Sequence, residues 1–562
     1  MIRFFLGGAL ALFPSLAFAQ TPVSIPQIQG KTDVSPMVGQ LVKTTGVVTA
    51  IFPGLNGFYL QDSVGDGDPQ TSDGVFVYLP AGSRLASTRL KAGERIDVSG
   101  QVEEFRGQTQ IGHLSALSIA GELSPTAGGD ALEPQEVEFP LPVAGRERFE
   151  GMLVRIKTPL FVSDSHDLER FGSLGLASGG REFNPTNVLA PPSNYEMGAR
   201  ELVLDDGSSK SNPKPLPFLD ADGTRRAGDE VEDLTGILAF DYGQYRLLPT
   251  RAPAFQNSNP RPSKAPDVGG TLKIGSANLH NYWTTLKDAA HPDARGSSTP
   301  EQFAVQSAKV VAMLRGLDAD AVALMELENG EGALDDLVSR LNAAYGAKIY
   351  AKVPAPKTGS GDDKIRVGMI YKPARLQLVG ASQSATDGTL ERRPLAQLFA
   401  DKTSGARFWL VANHWKSKGS APQSGDIDAG QGAWNRKRVQ QAQATLKFVQ
   451  SLKRTDADVL LLGDLNAYTE EDPLKTLRAA GLKHINLRLR PEERYSFAYD
   501  GKFGSLDHAL ATPEFDKQIT GFAEWHINAD EPEFEQTKSQ GTAFRASDHD
   551  PFLVGLKLKA TR

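Results

Sequence analysis

Six short polar motifs close apolar runs in the second half of this chain, and their side chains have the chemistry of a metal or phosphate centre. SANLHN offers Asn278, ALMELEN offers Glu326, and LVANHWKSKG offers His414 with Lys416 and Lys418. LLGDLNA offers Asp464 and Asn466, GSLDHAL offers Asp507 and His508, and ASDHDPFLVG offers Asp548, His549 and Asp550. Each motif has a structural explanation of its own. Glu326 could be a paired acid, His414 a satisfied core histidine, and SDHDP a turn or helix cap. In VLLLGDLNAYTEEDP, Asp464 and Asn466 stand two residues apart, so extended geometry would project both to one side. The alternative is that both cap the turn through their own backbone. Taken together, the acids, amides and histidines would meet at one sheet edge, which is costly unless they bond one another, a metal or a ligand.

The residue types narrow the chemistry. The sequence has no cysteine, so thiolate catalysis, Cys-ligated zinc and disulfides are excluded. No G-x-S-x-G elbow stands at a strand end. A hard, oxygen-ligated cation suits Asn278, Glu326 and Asp548, because magnesium takes one or two carboxylates with waters and phosphate oxygens. Neighbouring histidines and lysines suit a phosphate ester, whose displacement depends on positioning and charge neutralisation.

The elements that must carry these groups follow from periodicity. With 562 residues, 40% hydrophobic and 23% charged, the chain reads as a multidomain globular protein. Its formal net charge of −7 argues against a uniformly basic surface but leaves room for a local basic strip. MIRFFLGGALALFPSLAFAQ, with Arg3 and the ending Ala17-Phe18-Ala19, reads as a signal peptide over residues 1–19, and no later stretch predicts a membrane anchor. The expected product is therefore secreted, extracellular or periplasmic. Residues 20–130 and 131–260 predict two all-β modules of short β-branched and aromatic strands. A Pro/Ser/Gly-rich stretch predicts a linker at 261–270. From 271 to 562, strand runs such as AVALMEL and DVLLLGDLN alternate with helical stretches, an α/β pattern with covered sheets. One of those helices, NRKRVQQAQATLKFVQSLKR, places Val439, Ala442, Leu446 and Val449 on one apolar face.

The ordered set SANLHN, LMELEN, NHWKSKG, GDLNA, SLDHAL and SDHDP resembles the endonuclease/exonuclease/phosphatase superfamily, the DNase I-like enzymes. GQGAWNRKRVQQAQA and NGFYLQDSVGDGDPQTSDGVFVY resemble the secreted bacterial nuclease branch and its OB-like module. The resemblance implies an OB-like first module and a DNase I-like four-layer sandwich, two packed sheets flanked by helices, over 271–562. It implies a metal at Asn278, Glu326 and Asp548, namely Mg²⁺ or Mn²⁺, with Ca²⁺ as an additional ion. It gives catalytic roles to His414, Asp464, Asn466, Asp507 and His549. Phosphate contacts fall to Arg366, Lys416, Lys418 and Arg436, and the partner is nucleic acid, DNA with RNA left open, with no obligate protein partner. His508 is expected to be structural. Other secreted phosphoesterases on the same scaffold (sphingomyelinase-like or phosphatase) and a non-enzymatic surface or adhesion protein remain as alternatives. Related nucleases place cysteines near the KSKG and GQG-x-WN stretches, where this chain reads KSKGSAP and GQGAWN. The loop between them must be held in another way.

Overall fold

The computed structural model describes residues 21–87, 89–123, 132–188, 198–538 and 541–559. The leader expected at 1–19 lies outside the described residues. Two compact units form, one from Met1–Lys157, Asp205–Ser209 and Leu234–Ala252, the other from Thr158–Leu204, Lys210–Asp233 and Pro253–Arg562. The stretch 131–260, expected as one module, therefore contributes to both units. Among the described residues, no helix is long and apolar enough to cross a membrane.

In the first unit, β1 (Leu41–Phe52), β2 (Gly57–Gln61), β3 (Gly74–Tyr78), β4 (Glu94–Phe105) and β5 (Gln108–Glu122) close into a barrel in the order β1-β2-β3-β5-β4. Alternation explains its filling. Val42, Val48, Phe58, Leu60, Val75, Val77, Ile96, Val98 and Ile111 pack together inside, and β1 bends at a bulge between Val48 and Ala50. Tyr59 and Phe76 face out of the barrel and pack against Leu153, Ile237 and Leu248 of the same unit.

The second unit carries the motifs. One six-stranded sheet orders the short strand Ala351–Lys352, then β8 (Ile365–Tyr371), β7 (Ala321–Glu328), β6 (Leu272–Tyr282), β15 (Phe552–Leu556) and β14 (Ile519–Glu524). The other orders β9 (Leu376–Gln383), β10 (Leu395–Asp401), β11 (Arg407–His414), β12 (Val459–Asp464), β13 (Asp507–Ala511) and the short strand Lys483–His484. Ile274, Ala323, Met325 and Met369 from the first sheet pack against Phe399, Phe408, Leu410 and Leu462 from the second in one core. The opposite faces are covered by helices. α1 (Pro300–Leu317) and α2 (Gly332–Tyr345) pack Val310, Leu314 and Leu337 on Val322 and Leu324. α3 (Asn435–Leu452) and α4 (Asp472–Ala479) pack Phe448 and Leu474 on Trp409 and Leu461. Helix, sheet, sheet and helix thus form four layers, as the resemblance implied; the alternation of strand and helix predicted the covered sheets.

Thr158–Leu204 and Lys210–Asp233 belong to this same unit. Glu182–Phe183 pairs in parallel with Lys502–Gly504. Arg226 is buried and pairs with Asp530 and Glu531, while Arg261 bonds Glu531 at 2.6 Å and Glu535 at 3.0 Å. Residues 261–270, expected as a linker, lie against the domain, with Val268 buried in the helix-side core.

The inter-sheet core makes a direct prediction. Phe408 is fully buried, with its ring 5.5 Å from Phe515 and 5.9 Å from Phe399. Phe408→Ala should lower unfolding stability by about 3–5 kcal/mol in urea denaturation.

Candidate active site

Strand parity aims the polar groups. On β11, Phe408, Leu410 and Ala412 face the other sheet, so His414 does too. On β12, Leu460 and Leu462 face inward and Asp464 follows; on β13, Ala511 and Ala509 lead to Asp507. The ladders set His414 beside Asp464, and Asp464 beside Asp507. Gly463 permits this crowding, because a Cβ there would collide with the Asn413 carbonyl oxygen. From the facing sheet, Leu272 and Ile274 set the parity that turns Asn278 inward.

Glu326 breaks the alternation. Counting from Ala321, Ala323 and Met325, it should face the helices. Instead the ladder to β8 slips between Leu324 and Leu327, and Glu326 takes a left-handed φ of 64°. The bulge inserts one residue, Leu327 resumes the helix side, and Glu326 is turned back toward Asn278. His280 and Asn281 are also left-handed, which lets the Asn281 amide donate to Glu326 Oε2 at 2.9 Å.

The result is one cluster. Asn278 Nδ2 donates to Glu326 Oε1 and Asp464 Oδ2, both at 3.1 Å. His414 Nε2 lies 3.4 Å and His549 Nε2 4.0 Å from Asp464 Oδ2. His549 Nδ1 meets Asp507 Oδ2 at 2.6 Å, and Ser496 donates to the same oxygen at 2.7 Å. Asp464 Oδ1 accepts from the Asn466 amide at 2.9 Å, so the turn-capping reading holds for one oxygen while the other faces the cluster. Asn466 Nδ2 donates to the Trp415 carbonyl at 3.1 Å.

Burial governs the charges. It pushes the Asp464 carboxyl up to about 7, with His549 opposing and Asp507 reinforcing. His549 is buried, which disfavours its cation, yet Asp507, Asp464 and Asp548 together hold it well above the ordinary histidine range. His414 is driven well below that range by burial, then by Arg392 and His549. It is therefore the neutral imidazole of the pair.

Glu326, His414 and Asp464 each offer a ligand atom within 4.8 Å of the others, so these three could hold a metal ion. The donor set fits a divalent cation: two carboxylates converge on one amide nitrogen, and a buried imidazole stands beside them. Of the three ligands expected from sequence, Glu326 falls in this set and Asn278 bonds two of its members. Asp548 is not one of the three; its carboxylate lies 3.9 Å from His280 Nδ1.

The structure does not bring Arg366 into the cluster. It sits opposite Leu327 on β8, donates to the Gly330 carbonyl at 2.8 Å and pairs with Glu331 at 3.3 Å. Strand parity turns it to the helix side. Lys418 is also committed, since its Nζ lies 2.6 Å from both Glu471 oxygens and donates to the Gln431 carbonyl. Lys416 lies with its ammonium 5.2 Å from the Trp434 ring, and Arg436 is exposed beside Asp426. His508 is buried, bonded to the Ala467 carbonyl and His484. Asp550 caps the amides of Ile527, Asn528 and Ala529. Sequence reasoning missed Arg392, whose guanidinium donates to the His414 and Trp415 carbonyls beneath the site. It also missed Ser496 and His280; nothing in the local pattern marks Ser496, whereas His280 was visible inside SANLHN.

Residues 275–549 match the model of the Endonuclease/Exonuclease/phosphatase family, and this part of the chain is a domain of that family. Members of that superfamily are phosphodiesterase or phosphatase hydrolases and typically use divalent metals. Residues 146–259 match a domain of unknown function, DUF8508. No curated protein matches the chain. Among solved structures, a mannosyl-6-phosphatase of Bacteroides thetaiotaomicron is 16% identical, covering 51% of this chain and 100% of its own, with a TM-score of 0.34. The human Nocturnin catalytic domain is 15% identical, covering 50% and 93%, at 0.33. D. rerio TDP2 complexed with single strand DNA product is 16% identical, covering 50% and 97%, at 0.34.

The loop that follows His414 is held by polar pins. Arg438 is fully buried and donates to the carbonyls of Ala433, Gln431, Gly432 and Lys416, while Asp426 accepts the first amides of α3, from Arg436 and Lys437. These bonds account for the burial of Arg438 within the helix face expected to be apolar, where Gln441, which accepts from the Lys416 amide, and Thr445 are buried as well. Glu471→Ala leaves Lys418 without its partner and should cost about 3 kcal/mol. Limited proteolysis should then cut within 419–431 at protease levels that spare the parent protein.

Proposed function

We propose that this chain is a secreted, divalent-cation-dependent nuclease that hydrolyses phosphodiester bonds of extracellular DNA. One observation carries the reading: Asn278, Glu326, His414, Asp464 and the Asp507–His549 pair, from two sheets, meet at one point. The leader pattern at residues 1–19 supports export. The strand order of the closed barrel supports an OB-like first module.

The chain's own groups have separable tasks. Asp507 accepts from His549 Nδ1 and fixes the ring, so the protonated imidazole presents Nε2 to a phosphate oxygen. Asp464 takes the proton of the attacking water, and Asn466 orients that water from the turn that Asp464 caps. His414, neutral and supported from below by Arg392, hydrogen-bonds a phosphoryl oxygen through Nε2. Water adds to phosphorus in line as the bond to the sugar oxygen breaks. Glu326 and Asp464, with Asn278 steadying both carboxylates, would hold a cation, and that ion would supply charge neutralisation at the phosphoryl group. Mg²⁺ or Mn²⁺ suits these oxygen ligands.

A second reading, a phosphatase for small esters, is favoured by the state of the basic strip. Lys418 is spent on Glu471, leaving Lys416 and Arg436 as the expected phosphate contacts outside the cluster. Plasmid DNA, RNA, sphingomyelin and a sugar phosphate, each assayed with and without chelator, separate the readings. DNA cleavage lost to chelator and restored by Mg²⁺ supports the nuclease; turnover of the sugar phosphate alone overturns it. Glu326→Ala, Asp464→Ala and His549→Ala should each lower the rate about 10²- to 10³-fold or more while circular dichroism stays unchanged. Near-normal turnover in any one of them, still folded, refutes its assigned role. For the nuclease, Lys416→Ala should reduce the slope of log affinity for DNA against log salt by about 1.

A further inference from the structure

Residues 184–187 lie outside the matched family domain, yet they are bonded to the loops that leave its catalytic strands. The Asn187 side chain is completely buried. Its Oδ1 accepts from Thr469 Oγ1 at 2.9 Å and from the Ser505 amide at 3.1 Å, and its Nδ2 donates to the Arg494 carbonyl at 2.9 Å. Thr469 lies five residues after Asp464, and Ser505 two before Asp507. One amide thus joins the exit of β12 to the entry of β13. Its neighbour Thr186 accepts from the Glu470 amide at 2.8 Å and hydrogen-bonds Glu471 Oε1 at 2.9 Å. Glu471 in turn holds Lys418, four residues beyond His414. Packing leaves no slack, because a Cβ at Gly504 would clash with Tyr468 and lie 3.2 Å from the Asn187 amide carbon.

The same segment has a second grip on the site. Arg181 bonds Asp530 at 3.0–3.1 Å, and buried Arg226 pairs with Asp530 and Glu531. The loop they hold carries Asn528, whose Nδ2 donates to the His549 carbonyl at 2.6 Å. His414, Asp464, Asp507 and His549 are therefore all steadied, through the loops that flank them, by Arg181, Thr186, Asn187 and Arg226.

We infer that Arg181, Thr186, Asn187 and Arg226 are positioning residues of the catalytic centre, with Asn187 as the principal one. This gives a task to part of a domain whose function is unassigned, and it rests on the hydrolase reading above. The physical basis is twofold. A buried amide bonded to three separate segments fixes their mutual distances, and its loss strands a backbone amide, a carbonyl and a hydroxyl. Displacement of a catalytic group by about 1 Å can cost about a hundredfold in rate.

The test uses the full chain with Asn187→Ala, the milder Thr469→Val, and Arg225→Ala as control. Arg225 lies in the same segment and bonds the Phe218 carbonyl and Asp229 without touching the catalytic loops. With plasmid DNA and a chromogenic phosphodiester, Asn187→Ala should lower kcat about 10- to 100-fold with KM changed by less than about threefold. Thr469→Val should do so more weakly, the double variant should match Asn187→Ala, and Arg225→Ala should leave kcat within about twofold however far its Tm falls. Hydrogen exchange should rise at the Ser505 and Glu470 amides in Asn187→Ala and stay unchanged in β12. Equal kcat losses in Asn187→Ala and Arg225→Ala, or a loss confined to KM, overturn the positioning role. If Asn187→Ala does not fold, Thr469→Val decides through its own kcat. If the parent protein turns over no phosphoester, the hydrolase reading has failed. Exchange at Ser505 and Glu470 then decides alone, and unchanged rates overturn the inference.

Discussion

The second unit is organised around the burial of one carboxylate. Asp464 sits where the two sheets end, almost without solvent contact, with one oxygen committed to its own turn and the other shared by Asn278 and approached by two imidazoles. An ionised group in that position is tolerable only if its surroundings answer it. The answer divides the histidines. His549, backed by Asp507, carries the positive charge, and His414, backed by Arg392, stays neutral. Chemically identical rings thus acquire opposite charge preferences from what lies behind them.

Glu326 shows the cost of bringing a second acid to the same point from the opposite sheet. Regular alternation would have left it among the helices, where burial of a carboxylate has no compensation. A left-handed residue and a slipped ladder return it to the centre. Such backbone strain persists only where neighbours over-determine it, and here Asn278 and the Asn281 amide do so.

Much of this was visible in the sequence, for a reason that also sets the limit. Period-two alternation fixes which residues of a covered strand share a face, so His414, Asp464 and Asp507 could be aligned from their own strands. The all-β character of the first module and the α/β character of 271–562 followed from the same periodicities, whereas the four layers were implied only by the resemblance. Bulges do not announce themselves, so the route by which Glu326 reaches the site was not legible. Arg366 failed for the converse reason: its position beside an apolar run fitted a phosphate clamp, but parity sends it the other way. Ser496, Arg392 and Asn187 act through side-chain hydrogen bonds to other segments, which leave no local pattern. Pro- and Ser-rich composition at 261–270 likewise does not reveal that Arg261 has two carboxylates waiting on the domain.

The loop between Lys416 and Trp434 has a consequence for how the protein matures. Its fastenings are an ammonium–carboxylate pair, a buried guanidinium on four carbonyls and a carboxylate on two amides, all of which form when the chain folds. No oxidant is needed to close it, and no reductant can open it. Burial shields the ammonium–carboxylate pair from salt but raises the Glu471 carboxyl, so acidity of the surroundings, rather than their redox poise, sets how firmly the rim of this site is held.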